Sequence, residues 1–122
     1  MEEFKKTEEE RLLDEERVML EADRSATISR REYIEADPAR YAQERVDQIA
    51  ERLAIRQPRR ATIPGHISMY DHLSNLKKEY EDCVKAKSLT GIVADEVQKL
   101  SAAETACTAK LADIDAEIAK VR

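Results

Sequence analysis

The chain has 122 residues and a formal charge of −5. That is one domain's length, and the acidic balance argues against nucleic acid as the principal partner, because such affinity rests on neutralising phosphates. With 42% hydrophobic and 39% charged residues, two glycines and no tryptophan, the composition suits long helices with narrow apolar seams and excludes a disulfide-stapled or membrane-spanning protein. No run approaches the ~18 apolar residues of a membrane span. The acidic start Met1-Glu2-Glu3 lacks the basic and apolar regions of a secretory signal, so a cytoplasmic location and no membrane partner are expected.

The charge is uneven. Residues 1–37 hold 13 acids and 7 bases, residues 38–64 hold 3 acids and 6 bases, and residues 65–122 hold 10 acids and 8 bases. The basic island is too short to make nucleic acid a plausible partner against the acidic remainder. Cys83 and Cys107 both fall on apolar helical faces, where a free cysteine behaves as a small hydrophobe.

A first helix is expected from about Glu2 to Ala36. Two adjacent heptad columns mark its packing side: Leu12, Met19, Ala26 and Tyr33, and Leu13, Leu20, Thr27 and Ile34. Such a double column is wider than a two-stranded seam and predicts a helix touching two neighbours. The early turns, Glu2 to Glu10, are charged apart from Phe4 and Thr7 and are expected to fray.

Asp37-Pro38 is a helix cap followed by the one position where a helix accepts proline, so a second helix starts with almost no linker and lies antiparallel to the first. Small or apolar residues recur at Ala39, Ala42, Val46, Ile49 and Leu53. The same phase lands on Ile63, Ile67 and Tyr70, then on Leu73, Leu76, Tyr80 and Cys83. This continuity predicts one long helix over 38–87, kinked or interrupted near Pro58 and Pro64, where proline removes a backbone donor and clashes with the preceding turn. A full turn at 57–64, with Pro64 opening a new helix, is the alternative.

A chain reversal is expected near Ser88-Leu89-Thr90-Gly91, with Lys85 and Lys87 where a helix C-terminus favours cations. Rods of about 53, 75 and 45 Å result, at ~1.5 Å per residue. The last helix, about Ile92 to Val121, has the cleanest seam: Val93, Val97, Leu100, Cys107, Leu111, Ile114, Ile118 and Val121, with Glu104 as its one charged intruder. The expected fold is all-α, a single domain over 1–122 forming an antiparallel, coiled-coil-like three-helix bundle, up-down-up.

Little points to catalysis or to a cofactor. His66 and His72 stand six apart, about 600° around a helix, so they diverge, and no Cys-x-x-Cys is present. The two glycines lie 26 residues apart, which rules out a glycine-rich phosphate loop. No nucleophile–base pair stands out by spacing, so no enzyme, metal or cofactor is expected. What remains is surface. Arg56 and Arg60, with Arg59, are either a solvated segment at the proline interruption or a contact for an acidic partner.

The run Arg11-Leu12-Leu13-Asp14-Glu15-Glu16-Arg17-Val18-Met19-Leu20-Glu21 resembles the Arg-Leu-x-x-Glu-Glu/Lys-x-x-Tyr-x-x-Glu stretch of the tubulin-binding cofactor A family, small all-helical cytosolic chaperones. Arg11, Leu12, Glu15 and Glu16 match as they stand; with an offset of one residue, Leu20 replaces the Tyr and Asp23 the second Glu. Asp37-Pro38 resembles the start of the family's second helix, Gln43-Glu44 a Gln-Glu inside it, and Ile63-Pro64 its central Ile-Pro or Leu-Pro, followed by apolar positions matched by Tyr70 and Tyr80. Thr90-Gly91 falls where the family turns into its last helix. The similarity covers roughly Lys6 to Leu111, with extra residues around 56–61 and a longer C-terminus.

The resemblance implies a three-helix bundle that captures β-tubulin released from the cytosolic chaperonin and hands it to other tubulin-folding cofactors, without ATP or metal. It implies a cytoplasmic, cytoskeleton-associated protein. The seams themselves leave the oligomeric state open, closing within a monomer or across a homodimer. Glu15, Glu16 and Asp23 of the first helix and Arg56, Arg60 and Tyr70 of the second are the contact candidates it points to. The alternative is a structural coiled-coil subunit or adaptor of a larger cytoskeletal or trafficking assembly.

Overall fold

The computed structural model describes the backbone of residues 2–56 and 67–121, with side chains described from residue 8 onward. The described residues form four α-helices and no strand: α1 (Glu2–Ala36), α2 (Pro38–Ala54), α3 (Met69–Ala86) and α4 (Gly91–Val121). They divide into two compact units. Residues 1–32 and 98–122 make the first, and residues 33–97 the second.

Asp37 ends α1 and starts α2 in one residue. Its non-helical backbone breaks the first helix, and its carboxylate accepts the Arg40 N–H at 3.1 Å while Pro38 takes the first helical position. That satisfies one orphan donor and wastes none on the proline. At the other end of α2, the Arg56 N–H closes a tight turn onto the Leu53 carbonyl at 3.1 Å. Ser68 caps α3 in the same manner as Asp37, accepting the Asp71 N–H at 3.1 Å.

The expected long helix over 38–87 is two helices that pack on each other. Cys83 Sγ lies 3.9 Å from the Pro38 carbonyl oxygen, and one turn further on the rings of Tyr41 and Tyr80 meet edge to face at 6.4 Å. Residue numbers rise along α2 as they fall along α3, so the pair is antiparallel. The expected three rods are therefore four helices. The apolar phase survives because each helix of an antiparallel pair needs its own stripe toward the other; a stripe reports a face and carries no information on chain direction. Ala42, Val46, Ile49, Leu73, Tyr80 and Cys83 are all buried. The expected kink, bulge or turn at 57–64, with Pro58, Pro64 and Ile63, lies outside the described residues.

The α3–α4 connection turns back at Lys87 to Thr90. Lys87 adopts the left-handed conformation, φ 54°, and its N–H donates to the Cys83 carbonyl at 3.0 Å. Glycine is the usual occupant of such a position; here the sequence places a lysine in it and a second positive φ at Gly91, where α4 begins. The first turns of α4 then come back beside α3, with Val93 fully buried. The Cys83 thiol donates to the Ser88 carbonyl at 3.1 Å, tying the turn to the helix it leaves.

In the first unit α1 and α4 run antiparallel. Arg17 pairs with Asp115 at 2.7 Å, and fourteen residues along α1, Arg31 pairs with Glu104, eleven residues back along α4. Leu111, Ile114 and Ile118 of α4 are buried, while Leu13, Arg17, Leu20, Arg24, Thr27 and Arg31 form the half-buried side of α1. Glu104, the charged intruder in the α4 seam, sits there because Arg31 meets it.

Candidate functional site

Two groups of side chains stand out, one in each unit. In the second, the phenols of Tyr41 and Tyr80 both donate to Glu96 in the second turn of α4, Tyr41 at 2.7 Å to one carboxylate oxygen and Tyr80 to the other. The Arg45 guanidinium lies over the Tyr80 ring, 5.4 Å from its centre. Burial, and then the bond to Glu96, pushes the Tyr80 phenol well above its usual range. A phenol held so firmly protonated is a poor acid or nucleophile, and both hydroxyl protons are already committed. The cluster is a clasp joining α2, α3 and α4. Nearby, Tyr33 donates to both oxygens of Glu44 at 2.6 and 2.8 Å with Arg40 over its ring, and the bond to Glu44 raises its phenol as well.

In the first unit the notable feature is what α1 leaves open. The column Leu13, Leu20, Thr27 is turned toward the α4 side, but the column beside it is not. Leu12 is 54% exposed and Met19 68%, and Val18 between them is 64% exposed. Ala22, Ala26 and Ser29 continue this outward strip, also exposed. An open groove runs along its near end, lined by Glu10, Arg11, Asp14, Glu15, Val18 and Met19. Arg11 spans Glu8 and Glu15, the latter at 2.9 Å, and its bond to Glu8 lowers that carboxyl from the usual range. The α1 helix thus presents exposed apolar side chains framed by paired charges.

The contact candidates divide between the units. All three α1 candidates are exposed, Glu15 within the apolar strip and Glu16 and Asp23 along its edge. Arg56 is exposed just past the end of α2, and Tyr70, half-buried, is in the first turn of α3. The antiparallel register puts those two at the same end of the α2–α3 pair. Arg60 lies outside the described residues. Two features are not evident from the residues alone. The heptad column predicts that Leu12 and Met19 pack within the chain, but such a column shows that a face is apolar and not what covers it. Tyr41 is inconspicuous because its neighbour Ala42 completes the stripe; the scarcity of aromatic residues, and a glutamate five residues into α4, are the available signals.

Among the described residues no group of three His, Cys, Asp or Glu side chains is placed to hold a metal ion, and no helix is long and apolar enough to cross a membrane. Both cysteines are free, Cys83 buried and Cys107 half-buried. Comparison of the chain with protein-family models, curated proteins and solved structures finds no match.

Proposed function

We propose that the protein is a non-catalytic helical binding module that captures another protein, and that its partner is β-tubulin awaiting assembly into the αβ heterodimer. The observation that carries the first part is the outward face of α1, where Leu12, Val18 and Met19 stand exposed beside Glu15, Glu16 and Asp23. The second part rests on the resemblance of that same segment to tubulin-binding cofactor A. In this reading α1, the α2–α3 pair and α4 take the places of the family's three helices. The work is done in the cytoplasm, beside the cytoskeleton, with handover to other tubulin-folding cofactors and no cofactor of its own.

Gel filtration of the full chain mixed with β-tubulin tests it. Co-elution is expected, weakened about tenfold by Glu15→Lys with Glu16→Lys, as for charges reversed within an interface. Separate elution of the two proteins would remove tubulin from the proposal.

One observation favours a second reading. The antiparallel α2–α3 pair replaces the single long middle helix that the cofactor resemblance implies, and an open apolar strip on a helix also suits a coiled-coil subunit or adaptor of a cytoskeletal or trafficking assembly. Under that reading the chain binds a helical partner and leaves β-tubulin alone.

A further inference from the structure

The strip on α1 has a pattern of sizes that a second copy of the same helix matches. Taken in order it reads Leu12, Glu15, Met19, Ala22, Ala26 and Ser29, the alternating three- and four-residue steps of a coiled-coil seam. At ~100° per residue its centre lies about 150° around the helix from the half-buried side that faces α4. The large side chains occupy one end and the small ones the other. A parallel copy would set Leu12 on Leu12, Glu15 on Glu15 and Ala26 on Ala26, wide and charged at one end and hollow at the other.

An antiparallel copy removes both faults. Turned about an axis between Leu20 and Glu21, it places Leu12 against Ser29 of the other copy, Met19 against Ala22, and Glu15 against Ala26. Every layer then has one large and one small side chain, so the two helices keep an even separation. Val18 comes to lie on the flank of the join, beside Ser25 of the other copy, which gives a use for a valine that is 64% exposed within its own chain. On the opposite flank Glu16 meets Arg30 of the other copy, twice by symmetry, and Asp23 meets its own copy, the one unfavourable pair. Arg11 lies further along the Val18 flank, away from like charge.

We propose that the outward face of α1 is a self-association surface, on which two copies of the chain pair antiparallel through Leu12, Val18, Met19, Ala22 and Ala26 with Glu16–Arg30 ion pairs across the join. The matching of size and charge along one strip, in one register, carries this. It does not depend on tubulin as partner and is tested without it.

The test is sedimentation of the full chain at about 100 μM, a loading at which a dimer of micromolar affinity is nearly all assembled. The expected species has twice the 14.0 kDa chain mass. Met19→Asp is expected to return it to the monomer with unchanged helical circular dichroism, since Met19 is 68% exposed in the single chain. Glu16→Arg alone and Arg30→Glu alone each turn two attractions into repulsions and are expected to weaken the dimer about tenfold. The double swap, Glu16→Arg with Arg30→Glu, restores it. These residues stand fourteen apart on one helix and cannot repair each other within a chain. A wild-type chain that stays monomeric overturns the proposal, as does a dimer indifferent to Met19→Asp. So does failure of the double swap: rescue of Arg30→Glu by Asp23→Arg instead would mean a seam displaced by one heptad.

Discussion

The two units of this chain solve the problem of a small core differently. The second closes on itself: Tyr41, Val46, Ile49, Leu73, Tyr80, Cys83 and Val93 are buried, and the polar ends of both buried tyrosines are answered by one carboxylate. The first has two helices, buries Leu111, Ile114 and Ile118 on one side of α4, and leaves Leu12, Val18 and Met19 of α1 in solvent. A helix pair has only one interface, so any second apolar stripe is surplus to folding. The contrast sets a closed core in one unit against an uncovered apolar strip in the other.

The sharpest way to break this comparison is to truncate the clasp. Tyr80→Ala is expected to cost about 3–5 kcal/mol in urea unfolding, the range for removing a buried aromatic ring. In the first unit Ile114→Ala is expected to cost about 2–4 kcal/mol, because a buried aliphatic side chain there still loses its packing. Equal and small losses at both sites would mean neither unit has the core described.

Tyr80→Phe separates the ring from its hydroxyl. It is expected to cost about 1–2 kcal/mol at neutral pH, as Glu96 loses one of two donors. The wild type also has a pH signature. The Tyr80 phenol is raised above its ordinary value of 10.0, so its contribution is complete below pH 10 and is lost as the pH rises past that value, where the unfolded chain ionises first. Unfolding midpoints should be flat from about pH 7 to 9 and fall above about 10, and the fall should be shallower in Tyr80→Phe.

Smaller still is the turn. Lys87 holds a left-handed conformation that costs a side-chain-bearing residue about 1 kcal/mol, so Lys87→Gly is expected to stabilise by up to about that amount, measured by thermal unfolding. A destabilisation would show that the lysine makes a compensating contact.

Much of this is legible in the residues, and the rest is hidden for physical reasons. Asp37-Pro38 announces a helix boundary because capping chemistry is local, and α2 begins there. The buried faces of α2 and α3 are legible for the same reason: Val46, Ile49, Leu73 and Tyr80 fall on helical periods. That α2 and α3 pair antiparallel is not legible, since their stripes share a phase whether the chain continues or returns. The reversal near Ser88–Gly91 is signalled by Lys85, Lys87 and Gly91, but the left-handed residue at the helix end is Lys87, a choice propensity would not make. Glu104 looks like a flaw in the α4 seam because its answer, Arg31, stands 73 residues away. Of the candidate surface, Glu15, Glu16 and Asp23 are singled out only by the proposed resemblance, which Glu15 and Glu16 match and from which Asp23 departs. Val18 and Met19 become visible only once exposure distinguishes one apolar column from the next.

Everything proposed for α1 requires its outer side to be surplus to the fold. Urea unfolding of Met19→Asp, at a submicromolar concentration where chains are single, measures this most directly, with Leu20→Asp on the half-buried side as reference. A shift under about 0.5 kcal/mol is predicted for Met19→Asp, as at surface sites, against roughly 2 kcal/mol or more for Leu20→Asp. A loss at Met19 as large as that at Leu20 would mean the chain already covers this face, and no surface would remain there for a partner.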